Sequence, residues 1–221
     1  MTGGTHMHLT NLATGLPQAI RTAKGKELLT GICKQGVTEA QLTENGFQHD
    51  DVADKKHHGG PDRAVCVYPA EHYSQWNEQF SCELPAAAFG ENLTVSGMTE
   101  ADVCIGDIYR IGDVRIQVTQ GRIPCSTIDQ RLGYPVMKAM IETGHTGYLC
   151  RVLEEGLVRE DSVISLEQRD PSGVSVLEAN TIYFHQPSDI EGIRQVLAID
   201  ALADEWRRKF EKLQEKASAN S

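Results

Sequence analysis

The chain has 221 residues, 40% of them apolar and 24% charged, which suits one large domain, or a medium domain with a small appendage, around a real core. Its net charge of −10 argues against a general binder of nucleic acid or of anionic membranes. No apolar run nears the roughly 18 residues of a membrane helix.

No charged-then-apolar signal peptide opens the chain, and Met1 to Met7 reads as an unstructured lead or an expression scar. Six cysteines (Cys33, Cys66, Cys82, Cys104, Cys125 and Cys150) never form a CxxC. That spacing suits reduced thiols and a cytoplasmic protein better than disulfides, an iron–sulfur cluster or a cysteine-zinc site.

The first dense group of polar residues is His57-His58-Gly59-Gly60-Pro61-Asp62-Arg63, ahead of the apolar run Ala64–Val67. Paired glycines let a ligand approach the backbone, and their consecutive N–H groups can form an anion-binding nest. Arg63 adds a planar fork suited to phosphate, and His58 a hydrogen-bonding edge. A plain turn into a buried strand accounts for the same glycines. Zinc held by His57, His58 and His72 lacks carboxylate support and would need neighbouring histidines to converge. Pro69–Phe80 has the length of a helix, with Pro69 suited to its first position. In Phe89-Gly90-Glu91-Asn92-Leu93, the Asn92 amide could read a planar ligand or could sit in an ordinary turn.

Ile105–Ile111 and Val114–Val118 are strand-like and parted by Gly112-Asp113, a hairpin signal. Val114, Ile116 and Val118 alternate with Arg115, Gln117 and Thr119, the period of a half-buried strand. Gly121 ends that alternation, and Pro124 stiffens the exit by fixing its own φ. Cys125 stands at this exit. Arg122, three residues earlier, favours the thiolate, the form that binds metals and attacks electrophiles. A small buried hydrophobe is the plain alternative for Cys125. A helix is expected over Pro135–Thr143, with strands over Tyr148–Leu153 and Ser162–Glu167. Many strands and only two intervening helices imply a mainly antiparallel, barrel-like domain over 1–167.

Residues 168–221 have a different texture. Ser175–Glu178 and Ser188–Glu191 both fit the capping box, and each opens a short helix. A third helix after Asp200 carries Leu202, Trp206, Phe210 and Leu213 on one face. Seven basic against nine acidic side chains, a net −2, disfavour a DNA-reading role for this bundle. Its polar residues read as caps and exposed faces, so it is expected to be a docking or packing appendage.

Lys56-His57-His58-Gly59-Gly60-Pro61-Asp62-Arg63-Ala64, Phe89-Gly90-Glu91-Asn92-Leu93, Ile105-Gly106-Asp107 and Pro124-Cys125 occur in an order and spacing that resembles the MOSC family, the domain named after the C-terminal part of molybdenum-cofactor sulfurase. The helices opening at Ser175–His185 resemble the three-helix domain of its bacterial YiiM-like branch. The resemblance implies a mainly β fold with α, a MOSC-type β-barrel followed by a small three-helix domain, that binds the molybdenum–pterin cofactor. In members that reduce N-hydroxylated compounds, the cysteine matching Cys125 is the protein's ligand to molybdenum. Animal reductases have Arg-Cys where this chain has Pro124-Cys125.

A soft thiolate is a natural ligand for a sulfur-rich metal centre, and the protein would orient a cofactor that does the redox work. The expected activity is two-electron reduction of N–O bonds in hydroxylamines, amidoximes and N-hydroxylated purines. Cys125 is the expected metal ligand. Arg63, Gly59 and Gly60 are expected at the cofactor phosphate or pterin, His58 and Asn92 at the pocket wall, and Arg122 at an anion. Lacking a dinucleotide motif, the chain is expected to take electrons from a separate flavoprotein or haem protein. A carrier that holds sulfur or the cofactor on Cys125, without small-substrate turnover, is the alternative.

Overall fold

The computed structural model describes residues 6–22, 24–53 and 59–219. Six strands come first: β1 (His8–Thr14), β2 (Gln18–Arg21), β3 (Glu27–Thr30), β4 (Gln35–Gly36), β5 (Glu39–Thr43) and β6 (Gly46–Phe47). A 3-10 turn at Pro61–Arg63 leads into β7 (Val65–Pro69), and helix α1 (Glu71–Phe80) connects it to β8 (Leu93–Ser96). The hairpin expected around Gly112-Asp113 is present as β9 (Ile108–Ile111) and β10 (Val114–Gly121). Helices α2 (Thr127–Leu132) and α3 (Val136–Thr143) then precede β11 (Tyr148–Glu154), β12 (Gly156–Arg159) and β13 (Ile164–Gln168).

Eight strands form one curled sheet in the order β13-β9-β10-β11-β7-β8-β1-β4. Neighbours run antiparallel except β7 and β8, which are parallel. A parallel pair needs a crossover rather than a hairpin, and α1 supplies it. An isolated antiparallel bridge between His8 and Val163 draws the two sides of the sheet towards each other. β12, β5 and β6 form a smaller sheet, and β2 and β3 a hairpin.

α1 begins at Glu71, not at Pro69, which is the last residue of β7. The ladder prevails there: Pro69 pairs with Val95, and the Ala70 N–H donates to Val95 O at 2.7 Å. α2 is an addition to the two helices expected in this part. It is six residues long, too short to show an amphipathic period.

Three C-terminal helices follow, α4 (Val176–His185), α5 (Ile190–Leu197) and α6 (Asp204–Ala219). The Ser175–Glu178 capping box is formed in both directions. At the second site, Asp189 caps α5 by accepting from Gly192 N, one residue later than the box at Ser188 required. The carboxylate is as good a cap as a serine hydroxyl.

The barrel interior and the C-terminal helices share one core. Val67, Val118 and Tyr148 belong to the same cluster of buried residues as Ile193, Trp206 and Phe210. A second cluster, with Tyr68, Trp76, Phe89, Ile128 and Met140, lies where α1, α2 and α3 cover the sheet. Period two explains the division: Val65 and Val67 face the first cluster, while Cys66 and Tyr68 point the other way. Among the described residues no helix is long and apolar enough to cross a membrane.

Candidate functional site

The site lies on the outer face of β7, where that strand meets the exit of β10. Cys66 is half-buried there, opposite Leu149 of β11. β10 stops at Gly121, and Arg122 N donates to Gly147 O at 3.0 Å, so the chain leaves the sheet in a fixed direction. Pro124 is buried and Cys125 half-buried, immediately ahead of α2. That helix is held by Arg131, whose Nη1 donates to the carbonyls of Ile32 (2.7 Å), Ala87 (2.8 Å) and Ala88 (3.0 Å).

Arg122 is the electrostatic centre of the group. Its Nη2 donates to Phe89 O at 2.6 Å, whereas Nη1 is buried with no hydrogen-bond partner among the described residues. Burial opposes the guanidinium charge, but Cys66, Cys125, Glu91 and Tyr68 together outweigh it and hold the Arg122 pKa above its ordinary value. The Cys66 thiol is pushed up by burial; Arg122 pulls it down and Glu91 pushes it up. Two thiols therefore share one arginine, and burial keeps the Cys66 proton in place.

Asn92 is also in this group, but its side-chain amide is already engaged. Oδ1 accepts from Cys66 N at 3.1 Å, and Nδ2 donates to Ala13 O at 3.3 Å and to Asp50 Oδ2 at 2.9 Å. It fixes the wall of the site from behind. Asp50 in turn accepts from Gly15 N at 2.9 Å and pairs with Lys34, whose side chain is only 5% exposed. Neither Lys34 nor Asp50 stands out in the sequence. The one hint is that Lys34 directly follows Ile32 and Cys33, so its stem runs beside apolar chain.

Glu91 was likewise passed over. Fully buried, it accepts from the Tyr73 hydroxyl, from Phe89 N at 3.1 Å and from Thr94 Oγ1 at 3.0 Å. Burial, and then Glu91, drive the Tyr73 pKa far above its usual value. Its position between Gly90 and Asn92 was the available signal.

Gly59 and Gly60 both have positive φ, 80° and 96°, as a glycine pair permits. Arg63 folds back on this loop through Nε, which donates to Gly59 O at 2.8 Å, and its Nη1 reaches Glu205 on α6. Cys125, Arg122 and Asn92 are thus brought together around Cys66, while the Arg63 guanidinium is directed towards the C-terminal helices. His57 and His58 lie outside the described residues. Asp107, from the Ile105-Gly106-Asp107 motif, is a fully buried anchor that accepts from Cys104 N (2.8 Å), Arg169 Nη1 (2.8 Å) and Asp170 N (2.9 Å).

Chemically, the group offers two half-buried thiols, Cys66 and Cys125, beside a buried cationic N–H that lacks a partner among the described residues. That donor set suits an anionic, oxygen- or sulfur-rich group bound through a single protein sulfur. Among the described residues no set of three or more His, Cys, Asp or Glu side chains could hold a metal ion by itself.

Residues 54–165 match the family model described as MOSC domain, and residues 174–217 the model described as YiiM-like, 3-alpha helix domain. The Bacillus subtilis protein YflK is 44% identical over 204 residues, 91% of this chain and 92% of its own. A Gibberella moniliformis protein named Reductase is 36% identical over 168 residues, 72% of this chain but 29% of its own. The crystal structure of YiiM from Geobacillus stearothermophilus superposes with a TM-score of 0.80 at 32% identity, over 94% of this chain and 99% of that one.

Proposed function

The chain belongs to the MOSC family, with the YiiM-like three-helix domain behind its barrel, and from that premise we propose that it binds the molybdenum–pterin cofactor and reduces N-hydroxylated compounds. The observation that carries this reading is Nη1 of Arg122, buried beside Cys125 and without a partner among the described residues. A buried charged donor left without an acceptor costs stability, unless a ligand completes it.

Cys125 is the proposed protein ligand, as the family resemblance implies, and burial pushes the thiol of its neighbour in the group, Cys66, up. When bound, the cofactor supplies the two-electron reduction of the N–O bond. Arg122 favours the Cys125 thiolate by its charge and offers Nη1 to an anionic oxygen. Asn92, with both ends of its amide committed, ties β7 at Cys66 to Ala13 of β1 and to Asp50. Hydroxylamines, amidoximes and N-hydroxylated purines are the proposed substrates. The fungal relative named Reductase supports oxidoreductase chemistry. This chain matches only 29% of that protein.

The test is molybdenum X-ray absorption on protein purified from a cofactor-producing host. The wild type should show a protein sulfur ligand that Cys125→Ser lacks, and N–O reductase activity should vanish in the same variant. A wild-type spectrum containing only the cofactor's own sulfurs would overturn Cys125 as ligand and leave the carrier reading in its place.

A further inference from the structure

The loop Gly59–Arg63 is tied to the C-terminal helices by contacts that the reductase reading does not use. Arg63 bridges the two directly, with Nε on the Gly59 carbonyl at 2.8 Å and Nη1 on Glu205 of α6. Asp62 is held from three sides. Its Oδ1 pairs with Arg151 Nη2 at 2.7 Å, its Oδ2 accepts Asp204 N–H at 3.1 Å, and its carbonyl accepts Thr119 Oγ1 at 2.6 Å. The knot closes on itself: Arg151 Nη2 donates to Ala201 O at 3.0 Å, and Ala203 N to Thr119 O at 3.1 Å.

Packing touches this loop lightly: a Cβ at Gly59 would lie 3.4 Å from Val52 Cγ2, and one at Gly60 would meet nothing within 4 Å among the described residues. A glycine pair has the most conformational freedom to lose. The ionic and hydrogen-bonded contacts at Asp62 and Arg63 add order to it. The Arg63 and Glu205 side chains are 20% and 33% exposed, so their pairing is less screened than that of a fully exposed pair. The other Glu205 oxygen lies 3.5 Å from Lys209, one turn along α6, which steadies the carboxylate.

We propose that Glu205 is a positioning residue for the Gly59–Arg63 loop, through which the C-terminal helical domain sets the geometry of the cofactor site. This rests on the cofactor reading above and on the expected place of Gly59 and Gly60 at the cofactor phosphate or pterin. The helices are then part of the site's construction rather than an appendage to it.

The test uses the full chain with Glu205→Ala, Glu205→Gln and, as control, Glu211→Ala, an exposed position on the same helix. Hydrogen exchange of the metal-free protein reads the loop itself. Exchange over residues 59–64 should quicken about tenfold in Glu205→Ala, the scale set by losing a charge-assisted hydrogen bond. Glu205→Gln should be intermediate and Glu211→Ala unchanged. Molybdenum per chain, on protein from a cofactor-producing host, should fall in the same order. Wild-type exchange over 59–64 in Glu205→Ala overturns the inference, and so does faster exchange with undiminished molybdenum. A wild type that carries no molybdenum overturns the cofactor reading instead, and the exchange pattern then decides the clasp by itself.

Discussion

Asn92 and Cys66 are joined twice. The Asn92 side-chain oxygen accepts the Cys66 N–H at 3.1 Å, and the Asn92 N–H donates to the Cys66 carbonyl at 2.8 Å. The second bond survives any side-chain change, and the first does not. Asn92→Ala should therefore keep the fold yet lose about 2–4 kcal/mol, because each buried group left unsatisfied costs about 1–3 kcal/mol. Urea denaturation reads the loss directly.

Cys66 should titrate above an ordinary thiol, since burial outweighs the pull of Arg122. Arg122→Met removes the largest influence lowering that pKa and should raise it further. The measurement is the rate of Cys66 alkylation against pH, followed on its own peptide by mass spectrometry. A Cys66 rate curve that shifts to lower pH in Arg122→Met would show that the arginine does not act on this thiol.

His145 stacks on His72 with ring centroids 3.9 Å apart and planes 6° from parallel. Its Nδ1 lies 3.1 Å from Gln75 Oε1, and Glu100 lies on the far side of the pair, 2.6 Å from His72 Nε2. Burial and then His72 lower the His145 pKa below 6.5, with Glu100 opposing them. The unfolded chain therefore takes up this proton before the folded one does. Stability from His145 is complete above about pH 6.5 and is lost as pH falls from there through the lowered folded value. His145→Gln should flatten the slope of melting temperature against pH between about 7 and 5. An equally steep slope in that variant would assign the effect to other groups.

Gly121 of the barrel sits tightly against the helical domain. A Cβ there would lie 2.0 Å from Asn180 Oδ1 and 2.9 Å from Trp206 Cη2. Asn180 cannot step aside freely, because its Nδ2 donates to Gly144 O at 2.8 Å and to Thr146 Oγ1 at 3.0 Å. Gly121→Ala should cost about 1–3 kcal/mol of stability by overpacking. Thermal denaturation of wild type and variant measures it.

Electron supply separates the proposed enzyme from a self-sufficient one. Purified protein carrying molybdenum should not reduce a hydroxylamine with NADH or NADPH alone. Adding a flavoprotein or haem-protein donor should start turnover. Steady turnover without the added protein would sink the requirement.

The hairpin at Gly112-Asp113 and the capping box at Ser175 were legible because their determinants are local: a turn dipeptide in one case, a four-residue spacing in the other. Cys125 and Arg122 were legible because one strand exit carries both. Lys34, Asp50 and Glu91 were not. Their significance comes from partners brought in by the sheet, such as Asn92 on Asp50 across 42 positions, and no window of sequence contains such a pair. Pro69 misled for a related reason, since a cross-strand bond to Val95 outweighed a local preference. Asn92, expected at the pocket wall, also holds three parts of the chain together through its amide.

The shared core has a consequence for synthesis. Ile193, Trp206 and Phe210 plug the apolar interior that Val118 and Tyr148 begin, and a ribosome delivers them after the strands they cover. Until they emerge, the inner faces of β10 and β11 remain bare, and bare strands pair readily with those of other chains. Nascent chains are thus at their most vulnerable after β11 has emerged and before α6 has. A stop codon placed ahead of α5 should show itself as insoluble protein in the cell, long before any defect in chemistry could be measured.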